Sequence, residues 1–139
     1  MKTIFILTCV LFLTCSLQSQ VVDTDTSDVV IRKTKKETPS EFNISEVIIK
    51  TDKEKTKNIM RVDLDLPVST QLKLNVSDSA GTIIMYLIID QSFKAGVYRV
   101  KWEMARCIGE INEFCYAPGK YLCVFETNHF VYQKDFYIK

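Results

Sequence analysis

The sequence predicts an all-β protein, an antiparallel β-sandwich of about seven strands. Three observations carry that prediction. Apolar and polar residues alternate with period two in Met60–Leu66, Leu72–Val76 and Tyr98–Trp102. Turn residues recur between these runs, as Asp78-Ser79-Ala80-Gly81, Ala95-Gly96 and Pro118-Gly119. No stretch after the first twenty residues shows the i, i+3, i+4 apolar spacing of a helix.

The chain of 139 residues opens on Lys2, followed by the apolar run Thr3–Leu17 and the polar exit Gln18, Ser19 and Gln20. A positive end, an apolar segment too short to span a bilayer comfortably and a polar exit together predict a signal peptide over residues 1–20. Cys15 stands at the end of that run, where a lipid anchor would be attached. Its predecessors Phe12, Leu13 and Thr14 are bulkier than such processing prefers. Of the 18 Lys and Arg residues one, Lys2, lies in this leader, so the rest of the chain is formally neutral against 17 Asp and Glu. A protein held to nucleic acid by its phosphates is expected to be basic, so no nucleic-acid partner is expected. No later apolar run reaches spanning length, and no transmembrane segment is expected after signal cleavage.

Residues 21–40 are rich in Asp, Thr, Ser and Lys and contain no aromatic residue. Too little apolar area is available to repay ordering, which predicts a flexible tether, with an edge strand over 29–32 as the alternative. The sandwich is then expected over residues 41–139, beginning with a strand at Phe42–Lys50. Met60, Val62, Leu64 and Leu66 alternate with Arg61, Asp63 and Asp65 until Pro67 ends the run, as a half-buried strand requires. Leu72, Leu74 and Val76 repeat the pattern. After the Asp78–Gly81 turn, the continuous run Thr82–Ile89 reads as a more thoroughly buried strand. Tyr98, Val100 and Trp102 alternate with Arg99 and Lys101, and Lys120–Thr127 and Phe130–Ile138 complete the set. Trp102, Tyr98, Tyr121 and Leu74 are the expected core anchors.

The segment 104–117 interrupts this rhythm and is too long for a hairpin turn. It carries Cys107 and Cys115, whereas Cys123 falls within a strand, so Cys107–Cys115 is the expected disulfide in an oxidising compartment.

Three segments, taken together, resemble an immunoglobulin-like (Ig-like) domain shared by the flagellar hook-capping protein and the C-terminal sorting domain of the type IX (Por) secretion system. The first is VDLDLPVSTQLKLNVSDSAG, Val62–Gly81, similar to a strand ending in Leu-Pro, the next alternating strand and an Asp-x-x-Gly turn. The second is KAGVYRVKW, Lys94–Trp102, similar to the family's Ala-Gly turn, strand and inward Trp. The third is APGKYLCVFET with the terminal QKDFYIK, similar to the Gly-x-Tyr strand and the final basic-plus-apolar strand. The resemblance covers Ile59–Lys139 in order. It implies an exported Ig-like module, secreted or held in the envelope of a Gram-negative bacterium, that engages a protein partner of a secretion or envelope system. On that reading Lys134, Phe136, Tyr137 and Lys139 of the last strand are the candidate partner-binding residues. Two features differ from the family pattern. The cysteine-bearing loop replaces a Gly- and Asp-containing linker, and a short tether stands where family members carry a larger cargo, so the domain is either itself the product or part of a minimal exported fragment. The alternative function is a small periplasmic or lipid-anchored binding protein that uses the braced loop 104–117.

No catalytic residue, metal ligand or cofactor is expected. His129, the one histidine, would need Cys123, Glu126 or Asp135 as partner, and nothing in the spacing brings an acid, a base and oxyanion donors together. Cys107, Cys115, Cys123 and His129 are separated by seven, seven and five residues, unlike the short Cys-x-x-Cys pairs of structural zinc sites. Asn43-Ile44-Ser45 and Asn75-Val76-Ser77 match the N-glycosylation pattern, and Asp78-Ser79-Ala80 resembles a bacterial O-glycosylation site whose simpler role is the turn. The basic residues of 32–36 and 50–57 could touch anionic surfaces, but with acids such as Glu37, Asp52 and Glu54 interspersed they read as a solvated tether and loop.

Overall fold

The computed structural model describes residues 24–25, 28–112 and 115–139, the first two through their backbone. The expected signal peptide and Cys15 lie outside these residues. Within them the chain is all-β and forms two antiparallel sheets packed face to face.

The first sheet contains β1 (Thr24–Asp25), β2 (Val29–Lys33), β3 (Asn43–Ile44), β4 (Ile48–Thr51), β5 (Lys57–Leu66) and β8 (Gly96–Ala105). Its order is β1-β2-β8-β5, with β3 and β4 both pairing the free edge of β5 at successive positions. The second sheet contains β6 (Thr70–Asp78), β7 (Ile83–Phe93), β9 (Gly119–Thr127) and β10 (Val131–Ile138), in the order β10-β9-β6-β7. The chain therefore makes hairpins at β4–β5, β6–β7 and β9–β10 and crosses between sheets after β5, β7 and β8. Two antiparallel sheets joined by such crossings make a β-sandwich. Tyr121, near the start of β9, donates its hydroxyl to Ala117 O at 2.7 Å, the corner contact typical of such folds.

The alternation read from the sequence places the core. Met60, Val62, Leu64 and Leu66 of β5 face Leu72, Leu74 and Val76 of β6, together with Val100, Trp102 and Met104 of β8 and Cys123 and Phe125 of β9. Trp102 is 1% exposed, and Tyr98, Tyr121 and Leu74 are buried with it. The turn between β6 and β7 closes as expected: Gly81 N donates to Asp78 O at 3.0 Å, and the Asp78 carboxylate accepts from Ala80 N and Thr82 N. Gly81 sits at φ 88°, a conformation that side chains with a Cβ rarely adopt.

Four local expectations are corrected. At Val29–Lys33 the tether reading gives way to its alternative, a strand, registered Val29↔Trp102 to Lys33↔Tyr98 on β8. Its Val29 and Ile31 side chains enter the core, and β8, already paired with β5 on one side, supplies the backbone partners that the short segment lacks alone. The strand expected at Phe42–Lys50 is split into β3 and β4, because Ser45 takes over from the ladder: its Oγ accepts from Asp63 N at 2.8 Å while its own N donates to Asp63 O at 2.9 Å. The run after Thr82 is not a thoroughly buried strand. It forms β7 at a sheet edge, with register shifts against β6 and with Ile83, Tyr86 and Ile89 exposed. Shifts of this kind twist an edge and discourage further pairing. Lastly, Phe136 is a core residue, described next.

Candidate functional site

The last strand divides the four expected partner-binding residues by parity. β10 pairs β9 in the register Phe136↔Tyr121 and Tyr137↔Lys120. Neighbouring strand residues point to opposite faces, so only one of the two aromatic residues is displayed. Phe136 is 3% exposed and stacks on Tyr121 with ring centroids 5.8 Å apart, which removes it from any partner surface. Tyr137 is 62% exposed on the outer face. Beside it Lys120 is ion-paired to Asp135 at 3.2 Å, and that hydrogen bond raises the lysine pKa above its ordinary value. Lys134 is engaged by Glu46 at 2.9 Å, across the side where β10 approaches the first sheet. Phe42 meets Phe130 on the same side at 4.7 Å. Lys139 is exposed.

The outer face of the second sheet continues from Tyr137 as a partly apolar surface. Cross-strand rows run Tyr86–Asn75–Val124–Gln133 and Ile83–Ser77–Leu122–Asp135. The larger neighbours overhang the middle of these rows, leaving Asn75 7% exposed. Asn75 is therefore a sheltered acceptor for N-glycosylation, whereas Asn43 is open to solvent.

The loop after β8 is pinned at its base. Cys107 and Cys115 are disulfide-bonded. Tyr116 N donates to Ala105 O, and its ring packs edge-on against Trp102 at 4.9 Å. Burial raises the Tyr116 hydroxyl pKa, with the nearby Asp28 charge adding to the effect. Arg106 anchors the other side, donating from Nη1 to Lys55 O at 2.9 Å. At the tip Ile108 and Ile111 are each 70% exposed.

The residues weighed for chemistry are dispersed. Cys123 is fully buried and its thiol is pushed up to about 12 by burial, so it stays protonated at neutral pH. His129 is exposed at the β9–β10 turn, where its backbone N donates to Thr127 Oγ1. Asp135 is occupied by Lys120. With two of the thiols in a disulfide, no group of three or more His, Cys, Asp or Glu able to hold a metal lies together among the described residues.

Sequence reading picked out the basic segments 32–36 and 50–57 but missed the surface on which they meet, the outer face of the first sheet. One row crosses it as Val30–Lys101–Arg61–Ile48, and the next as Arg32–Arg99–Asp63. Arg99 grips Asp63 with Nε and Nη2 on its two oxygens at 3.0 and 3.1 Å. Partial burial by itself raises the Asp63 pKa, but the Arg99 hydrogen bonds and charge, with Lys36 and Arg61 nearby, overcome burial and hold the carboxyl below its ordinary value. The signal that could have revealed this surface is basic residues at the polar positions of alternating strands, Arg61, Arg99 and Lys101, read together with the basic segment 32–36.

Comparison with protein-family models, with curated proteins and with solved structures gives no match. Fold and surface define a class of protein: a two-sheet β-sandwich domain braced by one disulfide among its described residues.

Proposed function

We propose that the chain is an exported, non-enzymatic Ig-like module, resembling a type IX secretion C-terminal sorting domain, that acts by protein–protein contact in secretion or at the cell envelope. The observation that carries this reading is the terminal strand. β10 lies at a sheet edge with Phe136 and Ile138 anchored in the core, while Tyr137 and Lys139 are presented to solvent. Such a strand offers a partner both an edge and alternate side chains without disturbing the fold. The signal-like leader and the disulfide are consistent with export.

The test is to fuse residues 21–139 behind an unrelated periplasmic reporter in a host with type IX secretion, retaining β2. Reporter at the cell surface or in the medium supports sorting. A reporter that stays in the periplasm while the fused domain remains protease-resistant refutes it. A second reading, a small periplasmic or lipid-anchored binding protein, is favoured by the two exposed isoleucines on the braced loop. It predicts that the fused reporter stays in the periplasm and that Ile108→Ser with Ile111→Ser abolishes ligand capture without loss of protease resistance.

A further inference from the structure

We propose that the outer face of the first sheet binds a linear anionic polysaccharide, laid across β2, β8, β5 and β4 and held at its centre by Lys101 and Arg61. Two shallow grooves meet on this face. The larger, of about 510 Å³, is lined by Val30 and Thr34 and by the cations Arg32, Lys33, Lys35, Arg99 and Lys101. The smaller, of about 180 Å³, is lined by Ile48, Ile59, Lys50, Arg61 and again Lys101. No carboxylate lines either groove, although the chain as a whole is close to neutral. Arg99 is neutralised by Asp63. Among the described residues Arg32, Lys50, Arg61 and Lys101 make no direct ion pair.

The arrangement opposes the stability of the sheet. Lys101 lies directly opposite Arg61, and like charges facing each other across a ladder are destabilising. A polyanion converts that repulsion into attraction. Its form follows from the geometry. The cations are spread over four neighbouring strands, a span of about 14 Å at the usual strand spacing, on an open face with no closed pocket for a small ion. A strand step is close to the length of one pyranose unit, so a stiff sugar chain can place a charge near each strand, and Val30, Ile48 and Ile59 can meet its C–H faces. Bases of a nucleic acid would want aromatic platforms, and no aromatic residue lines these grooves. An acidic peptide would more readily add to a sheet edge than lie across a face.

The probe is a heparin-derived octasaccharide, titrated calorimetrically into the purified protein, with a neutral dextran oligomer, a single-stranded DNA oligomer and phosphatidylglycerol vesicles as parallel arms. The octasaccharide is expected to bind and dextran is not. Raising salt from about 50 to about 200 mM should weaken binding several-fold. Arg61→Ser with Lys101→Ser should weaken it by about tenfold or more, equivalent to about 1.4 kcal/mol. Lys120→Ser, on the opposite sheet, should leave it unchanged. The thermal midpoint of the double variant should match or exceed that of the parent. Should it fall instead, Arg32→Ser with Lys35→Ser at the exposed rim serves as the second variant, with a several-fold loss expected. Absence of octasaccharide binding, binding indifferent to these variants, or DNA or vesicles bound as tightly as the octasaccharide would overturn the proposal.

Discussion

Ile31→Ala tests whether the segment before the main sandwich is structural. Ile31 is 1% exposed, and its strand is hydrogen-bonded to β8 through five registered positions, Val29↔Trp102 to Lys33↔Tyr98. Truncating a buried Ile to Ala removes its transfer free energy and leaves a cavity, together about 2–5 kcal/mol. Against a total stability of about 5–15 kcal/mol for a domain of this kind, that loss is a substantial fraction. For a domain of this size it corresponds to a fall in thermal midpoint of roughly 10 °C or more. Arg32→Ala, on the same strand but exposed, is the matched control and should stay within about 0.5 kcal/mol. Urea unfolding followed by Trp102 fluorescence gives both values, with equal slopes showing that only stability has changed. If the two substitutions behave alike, β2 does not pack in solution, and residues 21–40 act as the tether that their composition suggests.

Three further outcomes follow from the same structure. Replacing Cys107 and Cys115 together with Ser should cost about 2–3 kcal/mol for a loop of this length, measured by urea titration, and should loosen the Tyr116 contact on Trp102, seen as a change in near-ultraviolet dichroism. Asp63 has a folded-state pKa below its unfolded value, so its contribution is fully present above the unfolded pKa and is lost as pH falls through the depressed folded pKa. Asp63→Asn should therefore flatten the acid limb of a stability–pH profile, and a profile identical to the parent's would refute the pairing with Arg99. Cys123, buried with its thiol pushed up to about 12, should resist a thiol reagent in the native protein and react on unfolding. Rapid native labelling would show that the core is open.

The parts of the fold legible in the sequence are those where one strand face is buried and the other wet. β5, β6 and β8 announce themselves because Met60–Leu66, Leu72–Val76 and Tyr98–Trp102 alternate cleanly, and the disulfide followed from two cysteines sharing one irregular segment. The strand β2 was legible only as an alternative because its main partner is β8, some seventy residues away in sequence, and its local partner β1 contributes two residues. The apolar run in β7 misled for a different reason: a continuous run cannot distinguish a central strand from an edge strand that projects Ile83, Tyr86 and Ile89 into solvent. On β10, alternation dictated that only one of Phe136 and Tyr137 faces outward. Which one depends on the register with Tyr121, a tertiary fact. The basic face was hidden most completely, since its residues come from β2, β4, β5 and β8 and the linker after β2, and become neighbours only when the sheet forms.

Trp102 is the single tryptophan of the chain, and it lies where β2, β5, β8 and the braced loop converge. Acrylamide quenching of its fluorescence therefore reports directly on closure of the sandwich. A closed interior predicts blue-shifted emission and a quenching constant far below that of free indole, rising to the free value in denaturant. Red-shifted emission quenched at the free-indole rate in native buffer would contradict the two-sheet architecture.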